Sequence, residues 1–145
     1  MKLFTIGFTR KSAHEFFSAL RRPGLERVID VRLNNVSQLA GFTKRDDLKY
    51  FCGAILAVEY LHWTELAPTQ EMLDAYKKNR GDWAEYEKKF LSLIASRKIE
   101  STLPKEKMAG ACLLCSEPTP EHCHRRLVAE YLQKKWGDLE IEHIL

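Results

Sequence analysis

Ala111-Cys112-Leu113-Leu114 is apolar at every position, so a strand built from it has no face that tolerates water. Such a strand belongs in the middle of a sheet covered on both sides, the arrangement of parallel α/β proteins. Cys115-Ser116-Glu117-Pro118 ends it, and Pro118 and Pro120 keep the following helix from starting early. From about His122 to Trp136, Leu127, Val128, Tyr131 and Leu132 then recur at helical spacing, and 139–145 supplies a closing strand.

The rest of the chain repeats this alternation. Residues 2–6 (KLFTI) read as a strand stopped by Gly7. Ser12 and Glu15 make a capping box ahead of Phe16, Phe17 and Leu20, and Pro23-Gly24 ends that helix before the β-branched run 27–31. A polar loop from Arg32 to about Thr43, holding Asn34, Asn35, Ser37 and Gly41, leads to a helix over 45–55 and a third strand over 58–63. Two helices follow, over 69–79 and 82–97, with Gly81 as the break and Asp82 as N-cap; 105–110 reads as polar and flexible. The expectation is one three-layer α/β domain spanning 1–145. Its sheet is mostly parallel, with about five strands and helices on both faces, Rossmann-like or flavodoxin-like, and its ligands bind beyond the carboxyl ends of the strands.

The 145 residues suit one core. A net charge of +3 does not by itself imply a nucleic-acid partner, although arginines focused in a cleft matter more than net charge. The first eight residues lack the apolar stretch of a secretory signal and no run approaches ~20 apolar residues, which predicts a cytoplasmic protein with no membrane partner. In that compartment Cys52, Cys112, Cys115 and Cys123 are reduced thiols, and the last three are clustered.

Three polar clusters are expected at one edge of the sheet: Gly7-Phe8-Thr9-Arg10, Asp30-Val31-Arg32 and Cys115-Ser116-Glu117. Cys115, between a strand end and a helix N-terminus, suits a nucleophile. Cys123, beside His122, His124, Arg125 and Arg126, is a second thiol open to activation. Cys112 is expected on the opposite face of the strand from Cys115, and Cys52 in helix packing. Arg32 and Arg125 can clamp an anion bidentately, though Asp30 and Arg32 also read as a structural ion pair and one of Arg125 and Arg126 as a solvated face. Glu117 is either a proton carrier or a helix cap. Thr9 and Ser12 are anion-binding candidates, Ser12 more naturally as a cap. His62, Trp63, Trp83 and Tyr86 read as core aromatics rather than a pocket wall. The sequence places no metal ligand set: Cys112 and Cys115 sit within a strand rather than a turn, leaving Cys115, Cys123 and a histidine as the remaining combination. It identifies no cofactor and no glycine-rich nucleotide loop.

Thr5-Ile6-Gly7-Phe8-Thr9, Ile29-Asp30-Val31-Arg32, Leu113-Leu114-Cys115-Ser116-Glu117 and Glu121-His122-Cys123-His124-Arg125 together resemble the family called domain of unknown function 488. The resemblance implies that Gly7, Asp30, Arg32, Cys115, Glu117, Cys123, His124 and Arg125 are its signature positions. It implies no reaction. The plan is also similar to rhodanese-type sulfurtransferases and cysteine phosphatases, with a large departure: nine residues, two of them proline and none glycine, separate Cys115 from Arg125.

The leading reading is a thiol-dependent enzyme acting on an anionic small molecule or nucleotide. Cys115 is its nucleophile, Cys123 a resolving partner, Arg32 and Arg125 the clamp, and Glu117 or His124 the proton carrier. A carboxylate-based nucleotide hydrolase or transferase using Glu117 and Asp30 is the first alternative; a non-catalytic module binding a metal or nucleic acid is the second. The sequence leaves the oligomeric state open.

Overall fold

A computed structural model describes residues 1–36 and 41–145; Ser37, in the polar loop, lies outside the described residues. Five strands, β1 (Lys2–Gly7), β2 (Arg27–Asp30), β3 (Glu59–His62), β4 (Ala111–Cys115) and β5 (Glu140–Ile144), form one all-parallel sheet in the order β3-β2-β4-β1-β5. The all-apolar run is the central strand, buried at all its positions.

Alternation along β4 sorts the core into two layers. Ala111, Leu113 and Cys115 join Leu3, Ile29 and Val31 on one face; Cys112 and Leu114 join Phe4, Ile6 and Val28 on the other. The first face is covered by α4 (Trp83–Ser96), through Tyr86, Phe90 and Ile94, and by α7 (His124–Trp136), through Leu127, Val128 and Leu132. The second is covered by α1 (Ala13–Leu20), through Phe16, Phe17 and Leu20, and by α2 (Arg45–Phe51), through Leu48. Cys112 and Cys115 therefore face opposite layers, as strand geometry requires, and Cys52 packs beneath α1.

Ser12 caps α1 through the capping box with Glu15. Other elements depart from the sequence expectation. The helix over 45–55 is α-helical only to Phe51 and continues as a π-turn, Cys52–Leu56, closed by left-handed Ala57. The helix over 69–79 is α3 (Gln70–Leu73) followed by a second π-turn, Asp74–Lys78. The 97–110 connection holds two short helices, α5 (Ile99–Thr102) and α6 (Lys105–Met108), which the buried side chains of Ile99 and Met108 anchor to the core. Residues 105–108 are thus ordered helix rather than flexible loop. The helix expected from about His122 starts at His124, because Cys123 is extended and occupies the N-cap.

The strand order fixes where a site can form. From β1 the chain crosses by α1, on one face, to β2; from its neighbour β4 it crosses by α7, on the other face, to β5. The two connections leave adjacent strands in opposite directions, which opens a crevice between the carboxyl ends of β1 and β4, at Gly7 and Cys115. No helix among the described residues is long and apolar enough to cross a membrane.

Candidate active site

Backbone hydrogen bonds tie the loops at this edge together. Thr9 N–H donates to the Ser116 carbonyl at 3.0 Å, Val31 N–H donates to Leu114 at 3.0 Å, and Arg125 Nη1 donates to the Glu117 carbonyl at 2.8 Å. Gly7 is part of the same construction. A Cβ there would stand 1.6 Å from the Glu117 carbonyl oxygen and 3.1 Å from Arg125 Nη1, so only glycine lets these groups pass over the end of β1.

Cys115 is the centre. Its thiol is held below its usual pKa: the Cys123 thiol donates a hydrogen bond to it, burial opposes the effect, and the Ser116 N–H and the Arg125 charge add to it. Cys123 moves the other way. Burial and its role as donor to Cys115 push it well above the usual thiol value. Of the two thiols expected to be open to activation, the structure favours ionisation only at Cys115.

Asp30 and Arg32 form a buried bidentate pair, Nε to Oδ1 at 2.8 Å and Nη2 to Oδ2 at 2.7 Å. The Tyr60 hydroxyl donates to Oδ2 at 2.6 Å, and Arg32 Nη2 also reaches the Thr43 carbonyl. Burial would raise the Asp30 carboxyl, but Arg32 and Tyr60 together hold it below its usual value. The structural ion pair is present, and both Asp30 oxygens are engaged by it. Arg32 lies 5.1 Å from the Phe8 ring and retains Nη1, buried without a hydrogen-bond partner among the described residues.

Arg125 is entirely buried; among the described residues it makes one hydrogen bond, to the Glu117 carbonyl, has no carboxylate beside it, and its Nε and Nη2 have no partner. A buried guanidinium in this state is costly unless something else engages it. Arg126 is the outward member of the pair, bonded to Glu87 and Glu130.

His124 donates to the Val31 carbonyl through Nε2, 2.7 Å away. Because a carbonyl only accepts, Nε2 carries the proton. Cys115, Cys123 and His124 place their ligand-type atoms within 4.8 Å of one another, all buried, which is a zinc-like donor set. The Cys115 sulfur, however, stands 3.6 Å from Nδ1 and 3.8 Å from Nε2, nearly equidistant, so it faces the ring rather than the Nδ1 lone pair. The donors are of the right kind and lie within reach of one another.

A cavity of about 50 Å³ opens onto Cys115, lined by Tyr76, Lys77, Trp83, Tyr86, Glu117 and His122 among others. Trp83 stacks with Tyr86 and with His122 at centroid distances of 5.1 and 5.0 Å. Lys77 and Glu117 form an ion pair at the mouth. Glu117 is thus a cavity carboxylate; α7 has no side-chain cap. Lys77 and Tyr76 are not among the candidates read from the sequence; Tyr86, in the core as its spacing suggests, and Trp83, packed against that core, also form a cavity wall. Their only sequence signal is an aromatic and basic character shared with many surface helices. Thr9 contributes its backbone while its side chain is exposed, and His62 bonds the Arg32 carbonyl at 2.7 Å.

Residues 12–132 match the family described as Domain of unknown function DUF488, a span that includes Asp30, Arg32 and Cys115 to Arg125 but not Gly7 and Thr9. No curated protein matches, and no solved structure matches.

Proposed function

We propose that this chain, which belongs to the DUF488 family, is a thiol-dependent enzyme in which Cys115 attacks a small anionic molecule. The observation that carries this reading is the setting of the Cys115 sulfur. It stands at the switch point of a parallel sheet, has the Cys123 and His124 donor atoms within 4.8 Å, and lies in the field of Arg125, which no carboxylate neutralises among the described residues.

In this reading the Cys115 thiolate adds to an electrophilic carbon or phosphorus. The new bond to sulfur forms from the thiolate pair, and the leaving group departs with its own bonding pair and takes a proton from solvent reaching the cavity past Glu117. Neither Arg125 nor Arg32 lines the cavity; buried behind it, they act through the field that their charges place on the Cys115 sulfur. Cys123 favours the attacking thiolate by hydrogen bonding to it. Asp30 keeps Arg32 in place, His124 positions the start of α7 against the Val31 carbonyl, and Gly7 and Thr9 hold the β1 loop against Ser116 and Glu117. The carboxylate alternative has less support, since both Asp30 oxygens are engaged by Arg32 and Tyr60.

The test compares alkylation of native protein and of N-acetylcysteine by iodoacetamide at about pH 6, where an ordinary thiol is almost wholly protonated. Peptide mass spectrometry should find Cys115 modified faster than the free thiol. Reaction no faster than N-acetylcysteine sinks the proposal.

A further inference from the structure

We propose that the mouth of the Cys115 cavity is a receptor for a substrate carboxylate or phosphate group, with Lys77 as its cation and the Glu117 carboxylate standing in for that anion in the free protein. This rests on Cys115 being the attacking group and adds the class of molecule it attacks: a small electrophile bearing an anionic group next to the reacting centre.

Four observations support it. First, Lys77 is delivered by a π-turn, Asp74–Lys78, an irregularity common at functional sites. The chain returns from that turn over Gly81, where a Cβ would come within 2.6 Å of the Ala75 carbonyl, so the turn is closed by close backbone packing. Second, Tyr76 from the same turn packs on Trp83 and Tyr86, centroids 5.5 and 5.0 Å away, which seats the turn against the cavity wall. Third, Lys77, Glu117 and Cys115 line one cavity, and the ammonium senses both the carboxylate and the thiol. Fourth, the Lys77 and Glu117 side chains are 50% and 33% exposed, so their ion pair is worth little and a competing anion can displace Glu117 into solvent.

Size narrows the class further. About 50 Å³ holds a handful of heavy atoms. That matches the anionic, reacting end of a substrate, the size of a short carboxylate or phosphate electrophile.

Iodoacetate and iodoacetamide test this without knowledge of the natural substrate. They share a reacting carbon and a leaving group and differ in one negative charge; with either, the thiolate forms a thioether and iodide leaves with the bonding pair. The quantity measured is the iodoacetate to iodoacetamide rate ratio at Cys115. Lys77→Met should lower the ratio about five- to tenfold, Lys77→Arg should largely preserve it, and Glu117→Gln should raise it. Lys134→Met, on the exposed last turn of α7, serves as the charge control and should leave it unchanged. If Lys77→Met still reacts with iodoacetamide and its ratio stays within twofold of wild type, the receptor is refuted while the thiol reading stands. If Cys115 takes up neither reagent in wild type, both are refuted. Should Lys77→Met fail to fold, Glu117→Gln decides, since an unchanged ratio there also overturns the proposal.

Discussion

The Cys115 sulfur lies almost equally far from the two ring nitrogens of His124, 3.6 and 3.8 Å, while Nε2 is bonded to the Val31 carbonyl. A base that takes a proton from sulfur needs the sulfur on its lone-pair axis; here it faces the ring. The thiolate is instead held by the Cys123 thiol and the Ser116 N–H. Cys123→Ala should therefore shift the pH profile of Cys115 alkylation upward and slow the reaction at about pH 6 by about tenfold, the usual worth of a hydrogen bond to a charged group. His124→Leu should leave that profile in place and instead lower stability by about 1–3 kcal/mol, because the Val31 carbonyl loses its donor. A profile that moves in the histidine variant and not in the cysteine variant would make His124 the base after all.

Buried charge gives a prediction of stability. Asp30→Asn leaves the Arg32 guanidinium, 4% exposed, without its counter-charge, and should cost about 3–5 kcal/mol. The sign with pH follows from the lowered Asp30 carboxyl. Its contribution is fully present above the unfolded-chain value of about 3.9 and is lost as pH falls through the lower folded value. Urea denaturation at a series of acidic pH values should show a stability loss in wild type that is shallower in Asp30→Asn. Parallel curves for the two proteins would show that Asp30 is not responsible.

The alternation of apolar runs with caps and breakers made the layers of this fold legible, and the sidedness of Cys112 and Cys115 followed from strand period alone. The site was legible at the strand ends and in the short stretch from Cys115 to the start of α7. Lys77 meets Glu117 across 40 positions of sequence, from a turn whose π geometry leaves no mark in the order of residues. Trp83 and Tyr86 have helical spacing, which does not distinguish a core face from a cavity wall. Met108 anchors a helix in a stretch whose lysines and glutamate suggested an open loop, since one buried side chain is too little periodicity to detect.

The four cysteines differ enough in setting to be told apart chemically. Burial pushes Cys52 up to about 12 and raises Cys112 as well, where it outweighs the opposing charge of Arg125; Cys123 is raised; Cys115 alone is lowered. Native protein treated with a slow electrophile near neutral pH should lose Cys115 first, with Cys52 and Cys112 labelled only as fast as the chain unfolds, and all four should react together in denaturant. Early labelling of Cys112, read by peptide mapping, would contradict the two-layer assignment.

Gly7 makes the most local prediction. A methyl group at this position would overlap the Glu117 carbonyl oxygen at 1.6 Å and its carbon at 2.7 Å, and both are backbone atoms that no rotamer change can move. Gly7→Ala must displace the segment from Cys115 to Glu117, and with it the carbonyl that Arg125 holds. It should destabilise the protein by about 3 kcal/mol or more and slow alkylation of Cys115, because the Ser116 N–H moves with the segment. Gly53→Ala is the matched comparison. It lies in the first π-turn with nothing within 4 Å of its added carbon, and it should be neutral or stabilising by about 0.4–1 kcal/mol. Equal thermal shifts in the two variants would mean that the β1 and β4 ends do not approach as closely as the Gly7 geometry requires.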